Sequence, residues 1–330
     1  MRSELSDLTT DAGKFNHEAS MRQMFCILFA GCAFLSAPAR AQEAPETLPL
    51  WAGAPPDGPG PQGPERIGKN GAVSNVAAPY LIVHRPARAN GAAALVVAGG
   101  GYARIELGKE SGPAARWLQE RGMWTFELVY RLPREGWSDT AVPFQDGQRA
   151  LRLIRGRAAE FGIDPHRVGV LGFSAGAHLA GMTAAAPEQA RYRPRDAADK
   201  LSARPDFAAL IYPVLTMMPP FDHTRSRKSI LGTAPARADS IAYSVERRAG
   251  RAMPPTFLAQ AQDDPIAAIE NSLLMFDALG KAGVPVEKHV FASGGHGWGM
   301  APGDAPPHVW PALFLDWAGR QGWMGKSAPP

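Results

Sequence analysis

Ser174 stands in the pentapeptide Gly172-Phe173-Ser174-Ala175-Gly176, a setting in which a serine can act as a nucleophile. A predicted buried strand precedes the pentapeptide, and a predicted helix of small residues follows it. The turn between them is tight, so a side chain at either flanking glycine would collide with neighbouring backbone. Ser174 would then project from the strand end, with the amino end of a helix behind it to favour negative charge. The pattern predicts a nucleophilic serine, with a chance occurrence as the alternative.

Three consecutive glycines, Gly99, Gly100 and Gly101, follow a second predicted strand. Glycines let backbone N–H groups approach a substrate closely, and we expect those of Gly100 and Gly101, completed by that of Ala175, to bind an oxyanion. A flexible turn is the alternative. A phosphate-binding loop is a weaker interpretation, because the loop has no Gly-Lys-Ser/Thr ending and Arg104 replaces the last glycine of G-x-G-x-x-G.

Two adjacent carboxylates, Asp263 and Asp264, follow a third predicted strand. A carboxylate at this point could orient and stabilise an imidazolium. Asp264 is the preferred candidate and Asp263 the reserve, since two adjacent acids usually include one surface residue. Solvation of both is the alternative.

His296 lies in the glycine-rich loop from Gly294 to Gly299, after a fourth predicted strand. A histidine in such a loop can reach a serine and exchange protons with solvent. The chain has eight histidines in all, and the other seven lack such a loop. His178, for example, follows Ser174 on the same predicted helix and is expected to be packed and hydrogen-bonded there.

Apolar strand patterns alternate with helical ones from residue 80 onward. The predicted strands are Tyr80–His84, Ala93–Ala98, Thr125–Tyr130, Arg167–Gly172, Phe207–Tyr212, Thr256–Ala261 and Val286–Phe291. The predicted helices span 111–121, 144–161, 175–185, 267–282 and 308–320. Runs such as Leu95–Ala98 are apolar without alternation, which is typical of strands buried on both faces of a parallel sheet. The pattern predicts one α/β domain with a mostly parallel central sheet covered by helices.

Residues 213–253 interrupt the alternation of strands and helices and are expected to form a small insertion over the active site, at one end of the sheet. In such folds ligands bind at the carboxyl ends of the strands, so the four candidate loops should meet there.

Composition excludes several classes of protein. Of the 330 residues, 45% are hydrophobic and 20% charged, which is typical of a globular protein and excludes disorder throughout. The net charge of +4 is small and no basic block is present, so no nucleic-acid partner is expected. No zinc motif such as H-E-x-x-H occurs, and both cysteines fall in the N-terminal leader, so we expect no metal and no other cofactor.

Residues 1–41 are predicted to form a leader that contains a signal peptide. Met21 and Arg22 begin it, the mostly apolar run Met24–Ala39 follows, and Ala39-Arg40-Ala41 has the small-x-small form of a cleavage site. The run is shorter than the roughly 20 residues of a membrane span, so we expect no stable membrane insertion. A membrane anchor and a lipoprotein box ending at Cys32 are the alternatives. Translation is expected to start at Met21.

Two further segments complete the predicted organisation. Residues 42–79 are rich in proline and glycine and are expected to form an extended lead-in without regular structure. Residues 80–330 form the predicted catalytic domain. Cleavage after Ala41 would place the protein in the periplasm or outside the cell.

The motifs together resemble those of the bacterial α/β-hydrolase esterases grouped with acetylxylan and feruloyl esterases, which are related to hormone-sensitive-lipase and prolyl-oligopeptidase-like hydrolases. The resemblance covers about residues 80–320 and includes the segments VVAGGGYARIELGKE, VGVLGFSAGAHLA, FLAQAQDDPI and GGHGWG. The order serine, acid, histidine is that of the α/β-hydrolase fold. The resemblance implies that fold, with Ser174 as nucleophile, Asp264 as acid and His296 as base, and it favours Asp264 over Asp263.

The same resemblance predicts an exported serine esterase that hydrolyses short acyl esters through an acyl-enzyme without a cofactor. Acetylated plant-polysaccharide sugars are the favoured substrates, so the expected partner is a small-molecule or oligosaccharide ester. Tyr102 and Trp298 are expected to offer stacking surface to it. A general carboxylesterase or lipase is the nearest alternative. An inactive ligand-binding protein with the same cleft is the alternative from another class.

Overall fold

The strands hold the candidate residues in place. The computed structural model describes residues 45–301 and 303–324, and the predicted leader of residues 1–41 lies outside these ranges. The strands in them are β1 (Thr47–Pro49), β2 (Arg66–Ile67), β3 (Val73–Ser74), β4 (Tyr80–His84), β5 (Ala93–Val97), β6 (Trp124–Val129), β7 (Val168–Phe173), β8 (Ala208–Ile211), β9 (Thr256–Ala261) and β10 (Val286–Phe291).

The helices of the same ranges connect and cover these strands. They are α1 (Gly112–Gln119), α2 (Val142–Gly156), α3 (Ala158–Phe161), α4 (Ala175–Ala185), α5 (Arg225–Leu231), α6 (Arg237–Ala242), α7 (Val245–Arg248), α8 (Glu270–Ala282) and α9 (Trp310–Arg320). A π-helical turn, Leu107–Ser111, leads into α1.

Eight strands form one sheet in the order β1-β4-β6-β5-β7-β8-β9-β10. The six strands from β6 to β10 in that order run parallel, while β1 and β4 are antiparallel to their neighbours. The prediction of a mostly parallel sheet covered by helices is confirmed. Because β5, β7, β8, β9 and β10 point the same way, the loops after them emerge at one edge.

Two apolar layers pack on the two faces of the sheet. The central strands β5, β6, β7, β8 and β9 are buried along their whole length, which the unbroken apolar runs had predicted for β5 and β7. On one face the core includes Leu151 of α2, Leu179 of α4 and Met275 of α8. On the other it includes Leu118 of α1 and Phe314 of α9.

Residues 45–79 contain regular structure, contrary to the expectation for the proline- and glycine-rich lead-in. Strand β1 pairs with β4, and β2 pairs with β3. Leu50 is fully buried, and the Trp51 indole donates a hydrogen bond of 2.9 Å to Asp146. Asp146 is itself in a buried ion pair with Arg131. The expectation was wrong because a few apolar side chains between the prolines suffice to seat the segment on the antiparallel side of the sheet.

The insertion of residues 213–253 contains three short helices, α5, α6 and α7. It is fixed to helix α8, because the Asn271 side chain accepts hydrogen bonds from the N–H groups of Leu215 and Thr216. Helix α5 carries a side-chain cap, since the Thr224 hydroxyl accepts from the Arg227 N–H. The anchored insertion supplies one wall of the cavity described below.

Across residues 45–301 and 303–324, no helix has both the length and the apolar content that a membrane crossing requires.

Candidate active site

Ser174 occupies the sharp turn between β7 and α4. Its backbone lies at φ 51° and ψ −117°, a strained conformation for a residue other than glycine. The flanking glycines are required by space: a Cβ on Gly172 would lie 2.6 Å from the Gly176 carbonyl oxygen, and a Cβ on Gly176 would lie 2.2 Å from that of Val97. The collisions expected from the sequence are therefore present. They leave room only for glycine at positions 172 and 176.

Ser174, His296 and Asp264 are joined by hydrogen bonds in one row. The Ser174 Oγ lies 2.8 Å from His296 Nε2. On the other side of the imidazole, Nδ1 lies 2.7 Å from Asp264 Oδ2. The Asp264 carboxylate accepts only, so Nδ1 carries a proton and Nε2 of the neutral ring can take one from the serine. This geometry allows the imidazole to act as a base towards the hydroxyl.

Asp264 and Asp263 have different surroundings. The Asp264 side chain is fully buried, and its second oxygen accepts hydrogen bonds from the N–H groups of Ile266 and Ala267 at 2.8 and 2.9 Å. Asp263 is exposed and accepts a hydrogen bond of 2.8 Å from the Gly295 N–H. Asp264 therefore contacts the imidazole, and Asp263 fixes the backbone of the loop that carries His296.

The glycine loop after β5 lies beside Ser174. A Cβ on Gly99 would lie 2.7 Å from the Ser174 Cβ, so the two backbones approach closely. Gly100 and Gly101 adopt φ angles of 115° and 65°, which favour glycine. Within residues 45–301 and 303–324, the N–H groups of Gly100, Gly101 and Ala175 donate to no backbone or side-chain acceptor. They are thus available to a bound oxygen.

Two residues that sequence reasoning missed, Glu110 and Tyr212, connect the loops of the site. The buried Glu110 carboxylate accepts 2.6 Å from the Gly99 N–H with one oxygen and 3.0 Å from the Tyr212 hydroxyl with the other. The same hydroxyl accepts a hydrogen bond of 3.0 Å from the Gly299 N–H, in the loop of His296. Burial raises the pKa of Glu110. The glycine loop and the histidine loop are therefore held to one buried carboxylate.

We expect Glu110→Gln to lower kcat about ten- to a hundredfold with little change in KM. A glutamine offers one acceptor oxygen instead of two, so it can no longer accept from both the Gly99 N–H and the Tyr212 hydroxyl, and the loops shift against each other. The free energy of unfolding should not fall, because the substitution also removes a charge that burial disfavours. Steady-state kinetics and urea unfolding measure both, and the exposed Glu120→Gln is the matched control. Unchanged kcat, or a kcat loss that tracks unfolding, would contradict this role.

A cavity of about 310 Å³ opens between these loops, close to the lower size limit of ligand sites. Ser174 and His296 lie in its wall with residues from the glycine loop, the π-helical turn and the insertion. The lining residues are Gly100, Gly101, Arg104, Glu106, Lys109, Glu110, Ser174, Val214, Thr224, Arg225, Ser226, Ile266, His296 and Gly297.

Tyr102 does not line this cavity, which corrects the expectation that it stacks on substrate. It is fully buried, and its hydroxyl lies 2.9 Å from His178 Nδ1. His178 Nε2 donates in turn to the Tyr243 carbonyl, which ties the insertion to α4. Burial lowers the pKa of His178 to about 4, so this ring is neutral near pH 7, as expected of a packed histidine.

Trp298 is also placed away from the cavity wall. Its ring is partly buried and packs edge-on against Tyr212, with centroids 4.5 Å apart, and against Phe291. Tyr212 in turn meets the His296 ring edge-on at 5.0 Å. Trp298 therefore supports the histidine loop from below, because the apolar layer under that loop offers the indole more contact than the open cavity does.

No three histidine, cysteine, aspartate or glutamate side chains converge as metal ligands in the described part of the chain.

Solved and curated proteins resemble the chain over most of its length. The crystal structure of an acetyl ester-xyloside bifunctional hydrolase from Caldicellulosiruptor lactoaceticus superimposes with a TM-score of 0.74 and 32% identity, over 86% of this chain and 100% of that one. The endo-1,4-beta-xylanase B of Butyrivibrio fibrisolvens is 32% identical over 234 residues, and an acetylxylan esterase of Xylanibacter ruminicola is 28% identical over 224.

These matches cover 69% and 67% of this chain, but only 34% and 44% of the xylanase and the esterase, respectively. Residues 81–279, more than half of the 330, match the BD-FAE family. The match includes Ser174 and Asp264 and ends before His296. In the folded chain His296 contacts both of these residues. The chain belongs to the BD-FAE family of α/β-hydrolase esterases.

Proposed function

We propose that this protein is an exported serine esterase that removes short acyl groups from the sugars of plant polysaccharides, acetyl above all. The observation that carries the proposal is the row of hydrogen bonds from Ser174 through His296 to the buried Asp264. The resemblance to proteins named acetylxylan esterase and acetyl ester-xyloside hydrolase supports the acetyl ester and the sugar. The predicted signal peptide supports export, which suits an enzyme whose polymeric substrate stays outside the cell.

In the first half-reaction, Ser174 Oγ attacks the ester carbonyl carbon while its proton passes to His296 Nε2. The carbonyl oxygen becomes negative and accepts hydrogen bonds from the N–H groups of Gly100, Gly101 and Ala175. Losing one such donor typically costs about 100- to 1000-fold in rate. The bond to the alcohol oxygen then breaks, and His296 gives that oxygen its proton. The acyl group remains on the serine.

In the second half-reaction, water takes the position of the alcohol. His296 accepts a proton from the water as its oxygen attacks the acyl carbon, and the bond to Ser174 Oγ breaks as the proton returns to the serine. Asp264 keeps the imidazole in one tautomer and stabilises its charged form through both half-reactions. The side chains of this chain account for every proton that moves.

The size of the cavity supports a short acyl group. At about 310 Å³ it is small, and Val214 and Ile266 supply apolar surface in its wall. A long fatty acyl chain would need a larger apolar pocket, which makes a lipase the weaker alternative. An inactive binding protein would not need the serine, imidazole and carboxylate in hydrogen-bonding contact.

The test is release of acetate from acetylated xylo-oligosaccharides, with Ser174→Ala as control and p-nitrophenyl acetate as a second substrate. We expect release from both substrates by the wild type, and from neither by the variant. Cleavage of p-nitrophenyl acetate alone would support the serine mechanism and overturn the sugar assignment. No cleavage of either substrate would favour the binding-protein alternative.

A further inference from the structure

Charged side chains in the cavity wall are mostly cationic. They are three cations and two acids: Arg104, Lys109, Arg225, Glu106 and Glu110. Arg104 and Glu106 form a salt bridge with each other. Glu110 points away to the loop backbone and Tyr212, as described above. The positive charges of the remaining two side chains therefore have no counter-charge in the wall.

Lys109 and Arg225 are these two cations. Both are exposed, and neither forms a salt bridge with any carboxylate in residues 45–301 and 303–324. An unpaired cation on an open surface is common, but two that line one small cavity next to a nucleophile are available to a ligand. A cleft lined by one sign of charge raises the local concentration of ligands of the other sign.

Each of these cations lies over a loop that handles the ester. A Cβ on Gly297 would lie 3.3 Å from the Lys109 Nζ, which places the ammonium beside the backbone that follows His296. A Cβ on Gly101 would lie 3.1 Å from the Cβ and Cγ of Arg225, so the stem of the arginine rests on the glycine loop. The Lys109 ammonium thus borders the loop of the base, and Arg225 extends from the glycine loop that is expected to bind the oxyanion.

We propose that Lys109 and Arg225 select esters that carry a carboxylate near the scissile bond, of which an acylated uronic acid is the sugar representative. This proposal rests on the proposed esterase function and names its substrate class. An ammonium and a guanidinium both bind a carboxylate through charge-assisted hydrogen bonds. Neither cation touches the reacting atoms, so both act on the binding and orientation of substrate.

The experiment compares para-acetoxybenzoate with its uncharged methyl ester as substrates for the purified protein. The quantity measured is the ratio of kcat/KM for the anionic ester to kcat/KM for the neutral one, which removes effects common to both. We expect Lys109→Gln and Arg225→Gln each to lower this ratio about threefold, and the double variant about tenfold. Arg225→Glu should lower it further than Arg225→Gln, since it adds repulsion.

The matched control is Lys281→Gln, which removes the same charge from an exposed position near the end of α8. That helix end leads into the amino end of β10, whereas the cavity lies at the carboxyl ends of the strands. It should leave the ratio unchanged. Raising NaCl to about 0.5 M should lower the ratio of the wild type towards that of the double variant, because salt screens exposed charges.

The outcomes separate this proposal from the proposed function. A ratio that stays within twofold of wild type in the double variant and in Arg225→Glu, with both esters hydrolysed, would overturn the charge selection alone. Hydrolysis of neither ester by the wild type would contradict the esterase proposal itself. Thermal unfolding of each variant identifies any loss that comes from misfolding.

Discussion

Replacing Ser174 by alanine is expected to lower kcat for p-nitrophenyl acetate by about 10⁶-fold. The hydroxyl is the group within 2.8 Å of His296 Nε2, and without it no acyl-enzyme can form. The glycine loop remains, so a residual rate above that of the reaction in water should persist. Substrate binding does not use the hydroxyl, so the dissociation constant of the ester should change little. Pre-steady-state kinetics with substrate in excess should also lose the burst of p-nitrophenol that acyl-enzyme formation gives.

The matched variants are His296→Ala and the double variant with Ser174→Ala. Because serine and imidazole act as one unit, each single substitution should cost nearly as much as the pair. Two independent losses that multiply in the double variant would contradict a shared proton transfer. If Ser174→Ala kept more than about a hundredth of the wild-type kcat, the nucleophile would have to be a different residue.

Replacing Asp264 by asparagine is expected to lower kcat about 10⁴-fold. The asparagine is nearly isosteric, but it carries no charge to stabilise the imidazolium. Its amide N–H₂ can also face the ring and force the proton onto Nε2, where the serine needs an acceptor. The folded structure should survive, since an amide oxygen can still accept from Ile266 and Ala267. The kcat of the purified variant, measured alongside its thermal unfolding, tests this.

Asp263→Asn is the natural control, since it makes the same change one residue away. The asparagine side chain keeps an oxygen that can accept the Gly295 N–H, so the loop should hold and kcat should stay within a fewfold of wild type. Equal losses for the two variants would show that neither carboxylate has a special relation to His296.

Much of the fold could be predicted because strand patterns alternate with helical ones and the central strands are buried on both faces. The strand patterns identified β4 to β10 to within one or two residues, and they placed the glycine loop, Ser174, Asp264 and His296 at strand ends. Parallel strands put their carboxyl ends at one edge, so these four parts had to lie near one another. The hydrogen bonds between them follow from that proximity and from the chemistry of the side chains.

The sequence could not predict contacts between residues that belong to no recognisable motif. Glu110 is one acid among 31 acidic residues, and Tyr212 is the residue that follows a buried strand. Their link to Gly99 and Gly299 depends on distances across the sheet. Nothing in the turn Leu107–Ser111, of which only Glu110 and Ser111 are buried, marks this carboxylate in the sequence as part of a site.

The prediction that Tyr102 and Trp298 contact substrate failed for a related reason. Tyr102 follows the glycine loop directly, and its neighbours in sequence suit a wall of the cavity as well as the core. Its backbone at φ 57° turns the ring inward to His178, where the hydroxyl finds a partner. An aromatic side chain buries more surface in the core than at a rim, and that preference decided its direction.

The strand pairs that carry the site loops join distant parts of the chain. Val97 pairs with Gly172, Ile211 with Ala259, and Phe291 with Ala261. Such pairings form slowly, because the entropy cost of closing a long loop comes before the contacts between the strands can offset it. The row of hydrogen bonds from Ser174 through His296 to Asp264 therefore cannot form until β7, β8, β9 and β10 have all joined the sheet. During refolding, partly assembled chains would expose apolar strands that are prone to aggregate, and they would hydrolyse no ester. Recovery of esterase activity would therefore measure only the fraction of molecules whose sheet is complete.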